Sequence, residues 1–206
     1  MALKIVYPFY NNHAAMDSLL PRISSLPCEV VVVDDASDPP LGVSCHNVRV
    51  MRIEVDVPWN QPAASNLGIR SLSPSDVVLR LDIDHWVDPS DFSEFESCSL
   101  GLPTRTLYQF VRVSSTGKRL HPNMNMLMMR VSDFLRIGCY DEDFCGSYGY
   151  DDKEFVDRAR HMGYKVEVSA RGLLRVEVDA GTRNLSRDAS VNKAKYLRKL
   201  SERRGR

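Results

Sequence analysis

Three short acidic groups in this chain have the residue types and spacing to do chemistry, namely Asp34-Asp35, Asp82-Ile83-Asp84 and Asp151-Asp152. Asp82 and Asp84 follow the apolar run "VVLRL", with one residue between them. On an extended backbone the two side chains project to the same side. Carboxylates this close repel each other unless a positive charge lies between them, and such oxygen ligands suit Mg²⁺ or Mn²⁺. A D-x-D pair is a weak signal by itself, because acidic residues often only terminate strands.

The third acidic group follows the glycine- and tyrosine-rich stretch "GSYGY". Asp151 and Asp152 begin a predicted helix, where they would serve as cap and first-turn residues. A carboxylate pair at this place also suits general-base chemistry on a sugar hydroxyl, with aromatic rings nearby to cover the sugar. The residues alone leave both interpretations open.

The elements that must position these groups follow from the apolar patterns. Strands are predicted over 3–9, 28–40, 48–54, 76–84, 106–115, 164–168 and 173–178, and helices over 13–26, 60–72 and 151–163. Residues 123–138 begin as a strand and continue as a helix. In open α/β sheets, ligands bind beyond the carboxyl ends of the parallel strands. We therefore expect the first two acidic groups at one edge of an α/β sheet.

Composition narrows the class of protein. Lys+Arg and Asp+Glu balance at 27 each, so no specific nucleic acid partner is expected. No segment reaches the roughly 18 apolar residues that a membrane span requires, and the N-terminus lacks the features of a secretory signal. The five cysteines form no C-x-x-C pair, which favours reduced thiols. These features predict a cytoplasmic protein.

The charge is unevenly distributed along the chain. Residues 183–206 contain nine Lys/Arg and two acidic residues. We therefore predict a single domain over 1–182 and a basic, helical C-terminal tail over 183–206. The tail is a candidate for peripheral contact with an anionic surface such as a membrane, and a solvated terminal helix is the alternative.

Taken in order, five segments of the chain resemble the inverting GT-A glycosyltransferases, in particular the family-2-like group with its galactosyltransferase-type C-terminal motif. The segments are "YPFYNN", "EVVVVDDASDP", "AASNLGIR", "LRLDIDHWVDP" and the run over 123–166 that begins "NMNMLMMRVSDF" and includes "GSYGYDDKEF". The resemblance implies a GT-A fold, which is Rossmann-like with a mostly parallel sheet flanked by helices. It also implies metal-dependent transfer of a sugar, with inversion, from a nucleotide-diphosphate sugar to a saccharide or other hydroxyl acceptor. A UDP-sugar is the favoured donor.

The resemblance also implies roles for individual residues. Those implied in nucleotide or donor binding are Tyr7, Pro8, Tyr10, Asp34 or Asp35 for the base, Asn66, Arg70, and Asp82 at the ribose or the metal. Asp84, with Asp82, would ligate Mn²⁺ or Mg²⁺. Asp152 would be the general base, and Asp151 would orient the acceptor.

The chain departs from the family pattern at two places. Ser65 stands where the family has an arginine near the donor, and Arg70 or Arg80 would then replace that charge. Many members use a histidine after the last strand as a metal ligand, and "LLRVEVDAGTRN" has none. Glu177 or Asp179 would take its place.

Two other functions compete with this interpretation. A non-catalytic nucleotide-sugar or glycan binder would account for the two departures, whereas the retained acidic groups favour an enzyme. A sugar-nucleotide nucleotidyltransferase would carry a glycine-rich basic loop after the first strand, where this chain has "YPFYNNHAAMD". His85 and His121 are weaker metal candidates, because lone loop histidines are more often surface residues.

Overall fold

The apolar runs of the sequence form one mixed sheet with helices on both faces. The computed structural model describes residues 1–177 and 186–204. The strands are β1 (Leu3–Phe9), β2 (Val30–Asp35), β3 (Val48–Ile53), β4 (Val77–Arg80), β5 (His85–Val87), β6 (Thr106–Ser114), β7 (Arg119–Leu120), β8 (Leu127–Arg130) and β9 (Lys165–Val176). The helices are α1 (His13–Ile23), α2 (Gln61–Arg70), α3 (Phe92–Leu100), α4 (Val131–Ile137), α5 (Asp151–His161) and α6 (Ser190–Arg204). Short 3₁₀ turns cover Pro89–Asp91 and Glu142–Phe144.

The strand order is β3-β2-β1-β4-β8-β6-β9-β5, with β7 paired to β6. Strands β1 to β4 pair in parallel, and β8 joins β4 and β6 by antiparallel ladders. Strand β9 is parallel to β6. Six of the nine strands in the described residues, β1 to β4 with β6 and β9, therefore run in one direction. The predicted α/β fold with a mostly parallel sheet and flanking helices is confirmed.

Several element boundaries differ from those predicted. Strand β4 ends at Arg80, so Asp82 and Asp84 lie in the turn before β5 and not on the strand. The His85 N–H closes this turn on the Asp82 carbonyl at 2.9 Å. The two predicted late strands are one strand, β9, whose pairing with β6 shifts register after Val168. The glycine that interrupts the apolar pattern, Gly172, lies in this shift with φ +79°.

Two apolar clusters, one on each face, hold the helices to the sheet. Odd-numbered β1 residues such as Ile5 pack with α1 and α3, whereas Val6 packs with α2, α4 and α5. This alternation follows from the two-residue period of a strand. Helix α2 approaches the sheet at Gly68, where a Cβ atom would lie 2.6 Å from the Cγ1 of Val6. The same atom would lie 2.9 Å from Cγ2 of Val33, so a glycine allows the helix to lie this close to β1 and β2.

The ends of α5 follow from its sequence. Its first turn contains Asp151, Asp152 and Glu154, and its last turn contains basic residues, an arrangement that the helix dipole favours. The residue before it, Tyr150, has φ +68°, which is unusual for a residue with a side chain and typical of functional sites. Within the described residues, no helix combines the length and apolar character of a membrane span.

Candidate functional site

A cavity of about 580 Å³ lies at the carboxyl ends of β1, β2 and β4. It receives acidic side chains from all three groups that the sequence singled out. They are Asp35, Asp82, Asp84, Asp151 and Asp152. Parallel strands end at the same edge of a sheet, and the start of α5 reaches the same edge from the opposite half of the chain. The cavity is therefore strongly acidic.

Asp82 is held by three side chains in the turn between β4 and β5. The Arg80 Nη1 donates to its Oδ1 at 2.6 Å, and the Gln61 Nε2 donates to the same oxygen at 2.7 Å. The Asn125 Nδ2 donates to Oδ2. The carboxylate thus has a fixed orientation and an adjacent positive charge.

Asp84 is joined to the buried side chain of His85. The Nδ1 of His85 lies 2.6 Å from Oδ1 of Asp84. The other ring nitrogen of His85, Nε2, lies 3.4 Å from Nη1 of Arg112. Because a guanidinium only donates, Nε2 accepts and Nδ1 is the donor to Asp84. Single ligand atoms of Asp82, Asp84 and His85 lie within 4.8 Å of one another. With both ring nitrogens of His85 engaged, the carboxylates of Asp82 and Asp84 are the side chains of this group that can hold a metal ion.

The adjacent aspartates at the end of β2 have different environments. Asp34 is enclosed, since its carboxylate accepts from the N–H of Ser37 and of Leu41 and from Arg52 at 2.5 Å. Burial alone would raise the pKa of Asp34, but these hydrogen bonds lower it overall. Asp35 lines the cavity and accepts from Asn60 at 2.7 Å.

Burial raises the pKa of Asp35 to about 6, although the hydrogen bond from Asn60 opposes this shift. Of the two candidates for a contact with a nucleotide base, the structure therefore places only Asp35 at the cavity.

Asp151 and Asp152 lie side by side at the start of α5 and at the wall of the cavity. Burial raises the pKa of both carboxyls, and the charge of Asp151 raises the pKa of Asp152 further. The positive charge of Arg80 opposes both shifts. The Oδ1 of Asp152 is buried and has no hydrogen-bond partner among the described residues. Such an acceptor suits a proton donor that enters the cavity.

Arg80 is the buried cation of this site, with 1% of its surface exposed. Besides Asp82 it donates to the Asn125 carbonyl at 2.6 Å and to the Ser65 hydroxyl at 3.2 Å. Ser65 is the residue that replaces the arginine of the family pattern. Between the two predicted substitutes for that arginine, the structure thus brings Arg80, and not Arg70, to the acidic group.

Three predicted donor-side residues do not reach the cavity. Tyr7 is fully buried and its hydroxyl donates to the His85 carbonyl at 3.1 Å. Asn66 is buried and exchanges hydrogen bonds with the backbone of Tyr140. Arg70 contacts the Cys139 sulfur at 3.4 Å. These three side chains are engaged elsewhere in the fold, whereas Pro8 and Tyr10 line the cavity, and the roles of all five residues in donor binding stay predictions.

The remaining metal candidates lie apart from the cavity or outside the described residues. Glu177 is exposed and contacts Asp84 through its backbone N–H, at 2.9 Å from the Asp84 carbonyl. His121 is exposed and its carbonyl accepts from Arg112 at 2.8 Å. Asp179 lies outside the described residues.

Other cavity residues gave little or no sequence signal. Gln61 and Arg187 line the cavity without belonging to a recognisable motif. The Trp59 ring packs against that of Tyr148 with centroids 4.6 Å apart and planes tilted by 57°, and its Nε1 donates to the Ser186 carbonyl at 2.7 Å. The tryptophan followed by a proline-containing turn is the one available signal for this aromatic wall.

Comparisons with known proteins agree with this geometry. A family model described as the N-terminal domain of galactosyltransferase matches residues 112–177, which include β8, α4 and α5. The comparison with curated protein sequences gave no match.

Solved structures match over most of the chain. S. aureus TarS 1–349 in complex with UDP-GlcNAc has a TM-score of 0.73 at 13% identity, covering 98% of this chain and 66% of that one. The mannosyltransferase PcManGT from Pyrobaculum calidifontis in complex with GDP-Man and Mn²⁺ has a TM-score of 0.63 at 15% identity, covering 89% of this chain and 58% of that one. GalNAc-T7 with UDP, GalNAc and Mn²⁺ has a TM-score of 0.58 at 14% identity, covering 86% of this chain and 44% of that one.

The chain spans less than two thirds of each of these structures. At this level of identity they establish the fold. The GT-A resemblance that the sequence motifs predicted is confirmed by the fold and by the matching family segment. The chain thus has the GT-A fold, and its residues 112–177 match the family model of the galactosyltransferase N-terminal domain.

Proposed function

We propose that this protein is an inverting glycosyltransferase that transfers a sugar from a nucleotide-diphosphate sugar to a hydroxyl acceptor. The observation that carries the proposal is the convergence of Asp35, the Asp82-Asp84 turn and the Asp151-Asp152 pair on one cavity. A donor diphosphate, a base and a nucleophilic hydroxyl each need a different partner, and these three groups supply them. The matching structures are complexes with UDP-GlcNAc, GDP-Man and UDP, respectively.

The residues of the Asp82-Asp84 turn fit a divalent cation. Their carboxylate oxygens are hard ligands, which Mn²⁺ and Mg²⁺ prefer, and two of the matching structures contain Mn²⁺. Asp84 and Asp82 would hold the ion, and it would supply Lewis-acid stabilisation of the charge on the leaving diphosphate. His85 donates to Asp84 and so fixes the orientation of that carboxylate, as neighbours of metal ligands commonly do.

The nucleotide is proposed to lie between the ends of β1 and β2. Pro8 and Tyr10 line one side of this part of the cavity, and Asp35 would contact the nucleotide base. An ionised Asp35 accepts hydrogen bonds and can therefore bind an N–H on the pairing edge of a base, such as that of uracil. A UDP-sugar is the proposed donor, and comparison with GDP, CDP and dTDP tests this choice.

Asp152 is proposed as the general base. Its buried Oδ1 has no partner among the described residues, so it can accept the proton of an incoming hydroxyl. The raised pKa of its carboxyl, which follows from burial and from Asp151, makes it a stronger base than an exposed aspartate. The hydroxyl oxygen then attacks the anomeric carbon as the bond to the diphosphate breaks, which inverts that carbon. Asp151 orients the acceptor.

A specific observation bears on the alternative of a non-catalytic binder. The absent family arginine and the absent histidine were its support, and at the place of the arginine the guanidinium of Arg80 lies against Ser65. The acidic site therefore retains a cation. Asp152→Asn tests the alternative directly, because it should preserve nucleotide binding and abolish transfer of sugar. Equal turnover by the variant and the wild type would exclude Asp152 as the base.

The basic tail is only partly available for an external partner. Three cations of α6 turn inward. Lys195 donates to the Asp143 carbonyl, and Lys199 pairs with the carboxylates of Asp141 and Asp143. Arg203 pairs with Glu154. In the described part of the tail, Arg187, Lys193 and Arg198 are exposed. Peripheral contact with an anionic surface stays a prediction that rests on these three exposed cations. The cytoplasmic location also stays a prediction. The predicted boundary at 182/183 falls outside the described residues.

The test of the proposed function is nucleotide binding. Thermal shifts are measured with UDP, GDP, CDP and dTDP, each with and without Mn²⁺, on the wild type and on Asp84→Ala. We expect a Mn²⁺-dependent shift that is largest for UDP and is lost in Asp84→Ala. The exposed Asp17→Ala on α1 is the matched control and should keep the shift. No shift with any nucleotide would contradict the proposal.

A further inference from the structure

Asn192, near the start of α6, lies at the centre of a hydrogen-bond cluster beneath the cavity wall. It is fully buried, at 0% exposure. Its Nδ2 contacts three backbone carbonyls of one loop, those of Phe144 at 2.9 Å, Ser147 at 2.6 Å and Gly149 at 2.9 Å. A buried carbonyl without a partner is costly, so these contacts favour a single conformation of the loop.

The loop that Asn192 holds, residues 144–150, leads directly into the carboxylate pair. It turns through Gly146 and Gly149, whose φ angles are +88° and +80°, and ends at Tyr150 with φ +68°. Three positive φ angles in five residues leave a loop with little helix or strand pairing of its own. Its conformation therefore depends on contacts from outside.

The other side of the loop contacts the segment that precedes α2. The Gly146 N–H donates to the Pro58 carbonyl at 2.9 Å, and the Tyr148 ring packs at a tilt against that of Trp59. The loop thus bridges α6 and the segment that precedes α2. A change in α6 can reach the cavity through this loop.

Helix α6 is itself anchored at several points. Asp188 caps it by accepting from the Ser190 N–H at 2.9 Å. The Tyr196 hydroxyl donates to Asp157 of α5 at 2.6 Å, and the Tyr196 ring packs on Tyr150 with centroids 5.4 Å apart. These contacts hold Asn192 in register with the loop and with α5.

We propose that Asn192 is a positioning residue, which holds loop 144–150 and, through it, the start of α5 in the conformation that the site requires. The C-terminal helix then belongs to the functional unit and is not an appendage to it. The catalytic consequence rests on the proposed function, since it concerns Asp151 and Asp152. The ordering of the loop by Asn192 is independent of the proposed function.

The chain offers a matched control in Asn47. Its Nδ2 also donates to three backbone carbonyls, those of Ile23, Leu26 and Cys28, at 2.9, 3.0 and 3.2 Å. Asn47 precedes β3, at the amino ends of the parallel strands and so at the opposite edge from the cavity. Substituting Asn47 breaks an equivalent cluster and leaves loop 144–150 alone.

The experiment compares Asn192→Asp with Asn47→Asp by peptide-resolved hydrogen exchange, because an aspartate loses the amide donor and repels the carbonyls. In Asn192→Asp we expect exchange over 144–150 to be at least about tenfold faster than in the wild type. In Asn47→Asp we expect that loop to be unchanged and residues 23–28 to exchange faster. If Asn192→Asp does not fold, Asn192→Ala, which removes the donor without adding charge, replaces it.

A second readout follows the aromatic wall. The chain has two tryptophans, so in a Trp86→Phe background Trp59 alone reports on the packing against Tyr148. We expect acrylamide to quench Trp59 more strongly in Asn192→Asp and equally in Asn47→Asp and the background protein. Unchanged loop exchange and unchanged quenching in Asn192→Asp would overturn the proposal.

Hydrolysis of UDP-sugars in the presence of Mn²⁺ supplies the catalytic readout. We expect Asn192→Asp to lower kcat at least about tenfold with the donor KM within twofold, because the loop lies on the acceptor side. A loosened loop with wild-type kcat would restrict Asn192 to a structural role. If the wild type binds no nucleotide and hydrolyses no donor, the proposed function fails, and hydrogen exchange still decides the role of Asn192.

Discussion

Nη1 of Arg80 donates to Oδ1 of Asp82 at 2.6 Å, and the arginine is almost completely buried. This pair joins the end of β4 to the acidic turn that follows it. The same guanidinium opposes the rise in the pKa of Asp151 and Asp152. One buried cation therefore balances carboxylates from two distant segments of the chain.

Arg80→Met should destabilise the protein by about 3–5 kcal/mol, because removal of one partner of a buried pair leaves an uncompensated charge. Urea denaturation at pH 7 measures the loss. Arg160→Met is the control, since Arg160 is 53% exposed and lies 3.5 Å from Asp157, which is itself 21% exposed, and such surface pairs contribute about 0–1 kcal/mol. If Asp82 is the main partner, the double variant with Asp82→Asn should recover part of the loss.

Asp35 should make stability fall as pH rises. Its pKa is about 6 in the folded protein and near 4 when unfolded, so the folded state holds the proton more tightly. The favourable contribution is complete below pH 4 and is lost as pH rises through 6. Relative to wild type, Asp35→Asn should gain up to about 3 kcal/mol between pH 4 and pH 7. Urea denaturation across this range checks the result.

The neighbouring aspartate is the control of opposite sign. The pKa of Asp34 is lowered, so its contribution is present above pH 4 and is lost as pH falls through its folded pKa. Asp34→Asn should cost about 1–3 kcal/mol at pH 7, since it weakens a buried, hydrogen-bonded carboxylate. Equal pH dependence in the two variants would contradict the assignment of environments.

Asp151→Asn should move the acidic limb of the pH–rate profile to lower pH. The charge of Asp151 raises the pKa of Asp152, and its removal makes Asp152 easier to ionise. Hydrolysis of a UDP-sugar, measured from pH 4 to pH 9, locates the limb. The control is Asp143→Asn, an exposed position earlier in the same part of the chain, which should leave the acidic limb in place. An acidic limb that moves to higher pH in Asp151→Asn would refute the coupling between Asp151 and Asp152.

His85→Ala should weaken Mn²⁺ binding about 10- to 100-fold, because residues that orient a metal-binding carboxylate have effects of this size. Calorimetric titration of Mn²⁺ in the presence of UDP measures the affinity. His121→Ala is the control, since His121 is exposed and outside the acidic group. Equal loss in the two variants, or none in His85→Ala, would separate His85 from the metal.

Much of this protein follows from local sequence. The valine-rich run before Asp34 predicted β2 and the alternating residues 48–54 predicted β3, because strand and helix periodicities depend on neighbouring residues. The position of the first two acidic groups at the ends of predicted strands also predicted that the site lies at one edge of the sheet. The GT-A resemblance rested on the same local motifs, and the fold confirms it.

The tertiary structure decided which of these residues face the cavity. Tyr7 and Asp34 stand in matching motifs, yet one is packed in the core and the other is enclosed by Arg52 and backbone N–H groups. The choice of Arg80 over Arg70, and the role of Asn192, depend on contacts with residues far away in sequence. Spacing along the chain sets where a backbone turns, whereas the direction and charge environment of a side chain depend on the elements that pack around it.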